Sequence, residues 1–127
     1  MHADEHMLSR ISERIIGSAM TVLNTLGAGF LEKIYENALT YELRSSGFSV
    51  AQQYGISVQY RGKVVGEYAA DLRVENTILV ELKAVKALDD IHRAQCLNYL
   101  KATGLHLCLL LNFGKPRLEF KRIALNL

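Results

Sequence analysis

Three ionisable side chains stand in a stretch that otherwise reads as two apolar strands, residues 69–85 (AADLRVENTILVELKAV). Asp71 lies in the first strand, and Glu81 and Lys83 lie in the second. Carboxylate oxygens are the ligands that a hard divalent cation such as Mg²⁺ prefers, and such a cation polarises a phosphoryl oxygen and activates water. A neighbouring ammonium group can hold that water or stabilise a phosphorane. The residue types therefore suit the hydrolysis of a phosphodiester.

The loop between the two strands predicts how these side chains meet. A three-residue hairpin loop makes Val74 oppose Ile78 and, in the same register, Asp71 oppose Glu81. Lys83 shares the face of Glu81 because side chains alternate along a strand. We therefore expect the three groups to converge. The residues of the opposite face are expected to enter the core: Leu72, Val74, Val80 and Leu82.

Two interpretations of this convergence stay open on the residues alone. Opposed carboxylates repel each other unless a cation lies between them, which favours a metal site. Charged residues are also common on exposed strand faces, and surface ion pairs need no function.

Composition limits the class of protein. The chain has 127 residues, of which 50% are hydrophobic and 22% charged, so we expect a single globular domain, 1–127. A net charge of +2 does not by itself indicate nucleic-acid binding. No apolar run approaches a membrane span, and the start MHADEHMLSR does not resemble a signal peptide. With Cys96 and Cys108 expected as buried free thiols, these features predict a cytoplasmic protein.

The first third of the sequence predicts two helices. The first carries an amphipathic stripe and ends at Gly27 and Gly29. That stripe consists of Leu8, Ile11, Ile15, Ala19, Val22 and Leu26. The second helix runs from about residue 31 to residue 45 and ends at Gly47. Its residues expected to face inward are Ile34, Ala38, Leu39 and Leu43.

The rest of the sequence predicts strands around a third helix. Residues 48–85 alternate as a meander that Gly55, Gly62 and Gly66 are expected to interrupt. DDIHRAQCLNYLKATG predicts a helix capped by Asp89 or Asp90 and ended by Gly104. LHLCLLLNF suits a strand covered on both faces, and RLEFKRIAL suits an edge strand. The order α-α-β-β-β-α-β-β predicts an α/β or α+β domain with a mixed sheet.

Three motifs together resemble a known family. The spacing D-x9-E-x-K resembles the active-site signature of the PD-(D/E)XK nuclease superfamily, although Ala70 precedes the Asp where proline is usual. GFLEKIY is similar to the GxxExxY motif that names a small bacterial and archaeal family of that superfamily, and QCLNYL is similar to the QxxxY element of RecB-like members. The resemblance covers residues 11–123. The motif residues are Gly29, Glu32, Tyr35, Asp71, Glu81, Lys83, Gln95 and Tyr99.

The resemblance implies a restriction-endonuclease-like core and a set of roles. Asp71 and Glu81 would bind Mg²⁺ or Mn²⁺ with the carbonyl of residue 82, and Glu32 would join them directly or through water. Lys83 would activate or position the water. The remaining motif residues, Gln95 and Tyr99, would shape the pocket or touch the DNA backbone. The implied activity is a metal-dependent phosphodiesterase acting on nucleic acid, with DNA favoured, and the implied assembly is a homodimer.

The same residues also suit other functions and simpler structural roles. A non-catalytic module that binds nucleic acid or protein, and a hydrolase of small phosphodiesters, are both compatible with the sequence. Glu32 also favours the dipole of a first helical turn, Tyr35 suits a core position, and Gly29 suits a helix junction. His92 is more typical of a surface histidine. The basic residues of the second half suit either a solvated surface or phosphate contacts: Lys86, Arg93, Lys101, Lys115, Arg117, Lys121 and Arg122.

Overall fold

The helices and strands follow the predicted order α-α-β-β-β-α-β-β. The computed structural model describes residues 5–127; residues 1–4, which belong to the predicted domain 1–127 and to the start MHADEHMLSR, lie outside the described part. The helices are α1 (Glu5–Leu26), α2 (Glu32–Ser45) and α3 (Asp90–Thr103). The strands are β1 (Val50–Tyr60), β2 (Lys63–Val74), β3 (Ile78–Lys83), β4 (Leu107–Asn112) and β5 (Glu119–Ala124).

The five strands form one mixed sheet in the order β1-β2-β3-β4-β5. Only β3 and β4 run parallel, because α3 carries the chain back across the sheet between them, and the other neighbours are antiparallel. The predicted mixed sheet and the predicted edge position of β5 are confirmed. Across residues 5–127, no helix is long and apolar enough to pass through a membrane.

Two apolar clusters cover the two faces of the sheet. The larger cluster packs α1 and α2 against one face, and the smaller packs α3 against the other. Strand β4 supplies Leu109 and Leu111 to the larger cluster and Cys108 and Leu110 to the smaller one. This double coverage explains its uninterrupted apolar run and confirms that prediction. Cys96 and Cys108 are free and buried, as expected.

The ends of α3 are fixed by local hydrogen bonds. The Asp89 carboxylate accepts the backbone N–H groups of Ile91 and His92, and His92 Nδ1 accepts the backbone N–H of Asp89. This reciprocal capping box begins the helix. Gly104 ends it in the left-handed conformation, with φ +77°. Both helix boundaries confirm the sequence prediction, and His92 acquires a structural role.

The inward face of α2 differs from the prediction at one residue. Ile34 is 42% exposed, so its predicted inward position is wrong, whereas Tyr35 is fully buried with Leu39 and Leu43. The buried stripe therefore begins at the tyrosine and repeats every four residues. Ala38 is partly buried and packs against the larger cluster. The Tyr35 ring can be buried in α2 because its hydroxyl has a hydrogen-bond partner, the Gly27 carbonyl, at the junction between α1 and α2.

The glycines of the meander interrupt the strands less than predicted. Gly55 and Gly66 lie inside β1 and β2, so the prediction that they separate strands is wrong, and only Gly62 lies in a turn. The two strands form one long hairpin because they pair from Val50 to Tyr60, with a single shift of register after Val58. The half of this hairpin that contains the turn extends beyond the rest of the sheet, because β3 pairs with β2 only from Leu72 to Val74.

Candidate active site

The hairpin of β2 and β3 has the predicted register. Val74 pairs with Ile78 across the three-residue loop, and the ladder continues to the pair of Leu72 and Val80. The backbone ladder ends at this pair, so Asp71, which directly precedes Leu72 in the chain, lies just outside it. The residues expected to enter the core from this hairpin are all buried in the larger cluster. The acidic residues therefore lie where the two strands separate.

Side chains replace the backbone ladder at this point. The backbone N–H of Asp71 donates to Glu81 Oε1 at 2.8 Å, and the backbone N–H of Leu82 donates to Asp71 Oδ2 at 2.8 Å. Each carboxylate thus accepts a backbone N–H from the opposite strand. The arrangement brings the two acids together while it satisfies the backbone groups that the ladder releases.

Asp71 also marks a change of face in the sheet. Ala70 belongs to the smaller cluster, whereas Leu72, two residues further on, belongs to the larger one, so the usual alternation is broken between them. In the neighbouring strand, Gln53 has a left-handed backbone with φ +51° and is absent from the pairs that join Gln52 and Tyr54 to β2. Such conformations cost energy and persist where surrounding contacts hold them.

Glu36, a carboxylate of α2 that the sequence did not predict for the site, is linked to Asp71 through Gln53. Gln53 Nε2 donates to Asp71 Oδ1 at 3.3 Å and to Glu36 Oε1 at 2.8 Å. Glu36 is 4% exposed, and its Oε2 accepts from Gln52 Nε2 at 2.8 Å and from Lys33 Nζ at 2.9 Å. The amide of Gln53 therefore separates two acids that would otherwise repel each other.

Burial and mutual repulsion shift the pKa values of both central acids. Burial raises the pKa of Asp71, against the opposing effect of the N–H group of Leu82. Burial, followed by the charge of Asp71, raises the pKa of Glu81 from 4.5 to about 8. Two acids in this state resist ionising together. A divalent cation that shares their oxygens would offset both effects.

Lys83 is tied to α3 by a chain of hydrogen bonds. Lys83 Nζ donates to Gln95 Oε1 at 3.1 Å, and Gln95 Nε2 donates to Tyr99 Oη at 3.0 Å. Gln95 and Tyr99 lie four residues apart, so they share one face of the helix, as expected. Burial, followed by the charge of Glu81, raises the pKa of Tyr99 to about 12. The phenol hydroxyl therefore stays protonated at neutral pH.

The GxxExxY residues organise the junction between α1 and α2. Gly29 has φ +113°, which a residue with a Cβ rarely adopts. The Tyr35 hydroxyl donates to the Gly27 carbonyl at 2.6 Å and accepts the Phe30 N–H at 3.1 Å. Glu32 Oε2 accepts the backbone N–H of Ala84 at 3.2 Å, directly after Lys83 in the chain. The junction thus joins α2 to the end of β3.

The candidate metal ligands are only partly gathered. Asp71 and Glu81 are brought together, whereas Glu32 reaches the backbone beyond β3. Within residues 5–127, no set of three acidic, histidine or cysteine side chains lies ready to hold a metal ion. The oxygen donors present nevertheless fit a hard divalent cation, because two buried carboxylates that repel each other are what such a cation stabilises. Glu36 follows Glu32 by four residues in α2, so the two share one face of the helix. This spacing could have indicated from the sequence that Glu36 lies near the site.

Comparison with known proteins places this chain in a superfamily. The chain matches the PD-(D/E)XK nuclease superfamily over residues 9–123 and belongs to that superfamily. The crystal structure of SSO0001 is similar with a TM-score of 0.56 at 18% identity, covering 75% of this chain and 50% of that one. The chain thus spans about half the length of SSO0001.

A second solved structure shares the fold. It is an alkaline exonuclease (LHK-Exo) from Laribacter hongkongensis, with a TM-score of 0.50 at 13% identity, covering 84% of this chain and 75% of that one. At these identities the likeness shows the fold, a mixed five-stranded sheet flanked by helices. Among curated proteins, no significant match was found.

Proposed function

We propose that the protein is a divalent-metal-dependent phosphodiesterase that cleaves nucleic acid, with DNA as the substrate. The observation that carries this proposal is the meeting of Asp71 and Glu81 at the end of the β2–β3 ladder, with Lys83 two residues further along β3. Membership of the nuclease superfamily supports the reaction, and the similar LHK-Exo is an exonuclease.

Oxygen ligands are available for Mg²⁺ or Mn²⁺ at this site. Asp71, Glu81 and the carbonyl oxygen of Leu82 would hold the cation, and Glu32 would contribute through a water molecule. When bound, the cation supplies positive charge at a phosphoryl oxygen and a more acidic water. The two acids hold fixed positions before any ligand binds, because each accepts a backbone N–H of the opposite strand.

The groups on β3 and α3 complete the chemistry. The Lys83 ammonium holds the attacking water or stabilises the negative charge that develops as one P–O bond forms and the other breaks. Gln95 fixes the position of that ammonium group through its carbonyl oxygen. The Tyr99 hydroxyl, protonated at neutral pH, donates to a phosphate oxygen.

Several finer assignments belong to the same proposal. We place the chain in the GxxExxY family, because Gly29, Glu32 and Tyr35 occupy the junction that connects α2 to the end of β3. A cytoplasmic location is compatible with the two free, buried cysteines. We further propose a homodimer, as the family resemblance implies.

A second function is favoured by one specific observation. The Asp71 and Glu81 carboxylates already have backbone partners, so they stabilise the hairpin without a cation. A module that binds nucleic acid or a protein without cleaving anything would retain them for this structural reason. Calorimetry with Mg²⁺ or Mn²⁺ separates the two functions, because absence of binding to the wild type favours the module.

Cleavage of labelled DNA with and without Mg²⁺ or Mn²⁺ tests the main proposal. Asp71→Asn, Glu81→Gln and Lys83→Ala are each expected to abolish metal-dependent cleavage, and the first two keep an oxygen that can accept the backbone N–H. Glu67→Gln, an exposed change elsewhere in β2, is the matched control and should cleave normally. Activity that survives the Asp71 or Lys83 substitution would contradict the assignment.

A further inference from the structure

Two depressions flank the Tyr68 ring between α3 and the β1–β2 hairpin. One, of 350 Å³, is lined by Tyr68, Gln95 and Tyr99 among others. The other, of 460 Å³, is lined by Tyr68 and Lys101 among others. Asn98 also lines both depressions, so the two are adjacent and share Tyr68 and Asn98 as lining residues. We refer to these five residues and the space between them as the Tyr68 groove.

The groove begins at the candidate active site. Gln95 and Tyr99 line its first depression and also belong to the hydrogen-bonded chain that starts at Lys83. A molecule bound in the groove is therefore continuous with the place where we propose that a phosphodiester is cleaved. The volumes of the two depressions, 350 and 460 Å³, are in the range of pockets that take small organic ligands.

The aromatic wall of the groove suits a flat ring. Tyr68 packs against Tyr99 with 5.8 Å between ring centroids, and 56% of Tyr68 remains exposed. An exposed tyrosine beside a catalytic pocket offers a π-face on which any nucleobase can stack. The bases of an intact duplex already stack on one another, so only an unpaired base can use such a surface.

Polar and charged groups complement a nucleotide chain. The exposed Asn98 carboxamide provides donors and an acceptor for a base edge. Lys101 provides positive charge in the second depression, Arg61 lies in the turn of the β1–β2 hairpin, and Lys63 begins β2 after that turn. Among the described residues that line the groove, none is acidic. The charge therefore matches a polyanion.

We infer that the Tyr68 groove binds unpaired nucleotides of a single-stranded nucleic acid, with one base stacked on Tyr68 and a backbone phosphate near Lys101. This inference rests on the proposed function, because it names the form of the substrate that enters the same site.

Binding of a fluorescent single-stranded oligonucleotide in EDTA tests the inference without catalysis. Tyr68→Ala should weaken binding roughly 5- to 160-fold, the range found when a stacked aromatic residue is removed. Tyr68→Phe should retain the affinity. The matched control is Tyr60→Ala, because Tyr60 lies on the same hairpin, is 61% exposed and is not among the residues that line the groove. The affinity for a blunt duplex should not change with any of these substitutions.

Two further variants distinguish the chemistry of the occupant. Tyr68→Leu keeps an apolar side chain without a π-face, so it should bind single strands as poorly as Tyr68→Ala. Lys101→Ala should reduce the salt dependence of binding by about 0.7 in the log–log slope, the value for one phosphate contact on a single strand. Wild-type affinity for single strands in Tyr68→Leu would show that no base stacks on the Tyr68 ring and would overturn the inference.

The remaining outcomes separate this inference from the proposed function. Equal binding by the wild type and Tyr68→Ala, or equal losses for single strands and duplex, overturns the inference even if metal-dependent cleavage is observed. Single-strand binding that depends on Tyr68 in a protein that never cleaves supports the inference and overturns the proposed phosphodiesterase.

Discussion

The Glu81 carboxylate accepts the backbone N–H of Asp71 at 2.8 Å, at the position where the ladder between β2 and β3 would otherwise continue. The sheet thus opens without leaving that N–H unpaired, and the opening holds two buried acids side by side. The same hydrogen bonds that complete the fold therefore position the groups proposed to bind metal. Stability and the charge of the site must be linked.

The first prediction concerns that link in the absence of metal. The Glu81 pKa is 4.5 ordinarily and about 8 in the folded protein, so the folded state holds a proton that the unfolded chain releases. The contribution of Glu81 to stability is therefore fully present below the lower value and is lost as the pH rises towards the higher one. The slope for one proton is about 1.4 kcal/mol per pH unit. Urea denaturation in EDTA at several pH values measures it.

Glu81→Gln is the control for this prediction. The amide cannot ionise, yet its carbonyl oxygen can still accept the Asp71 N–H. The variant should lose less stability than the wild type between about pH 5 and pH 8. Asp71, whose pKa is also raised, contributes with the same sign in both proteins. Parallel stability curves for the two proteins would show that Glu81 does not carry the pH dependence.

The second prediction concerns the positioning of Lys83. Gln95→Ala removes the carbonyl oxygen that receives the ammonium group, so kcat for cleavage should fall about 100-fold, as for a misplaced catalytic group. The loss should be larger in kcat than in KM, because Gln95 holds the ammonium group of Lys83 and also lines the Tyr68 groove. Tyr99→Phe removes only the hydroxyl to which Gln95 donates and leaves the bond from Lys83 to Gln95 in place, so it should have a smaller effect on kcat. Full activity in Gln95→Ala would mean that Lys83 needs no such support.

The third prediction explains the tyrosine of the GxxExxY motif. Tyr35→Phe removes the hydroxyl that joins the Gly27 carbonyl to the Phe30 N–H, and it should lower the free energy of unfolding by about 1 kcal/mol. Tyr41→Phe, in the same helix at a residue 72% exposed, should change it by no more than about 0.5 kcal/mol. Equal effects in chemical denaturation would refute a structural role for the hydroxyl.

Local signals made much of the fold predictable from the sequence. The cap at Asp89, the stop at Gly104 and the apolar run of β4 each act within a few residues, and the structure has all three. The register of the β2–β3 hairpin follows from the length of its loop, because Val74 must then pair with Ile78. These features depend little on the rest of the molecule.

The features that escaped prediction depend on distant parts of the chain. Ile34 is more apolar than Tyr35, yet the tyrosine is buried because the junction eight residues earlier satisfies its hydroxyl. Glu36 is buried because Gln52 and Gln53 of β1 donate to it. The change of face at Asp71 also escaped prediction, because strand alternation predicts one face for both Ala70 and Leu72.

The central claim is that Asp71 and Glu81 share a divalent cation. Diffraction from crystals soaked in Mn²⁺ tests it most directly, because manganese scatters anomalously and protein oxygen does not. We predict an anomalous peak between the carboxylates of Asp71 and Glu81, lost in crystals of Glu81→Gln soaked in the same way. Well-ordered carboxylates that keep their backbone hydrogen bonds, with no anomalous peak between them, would contradict the claim.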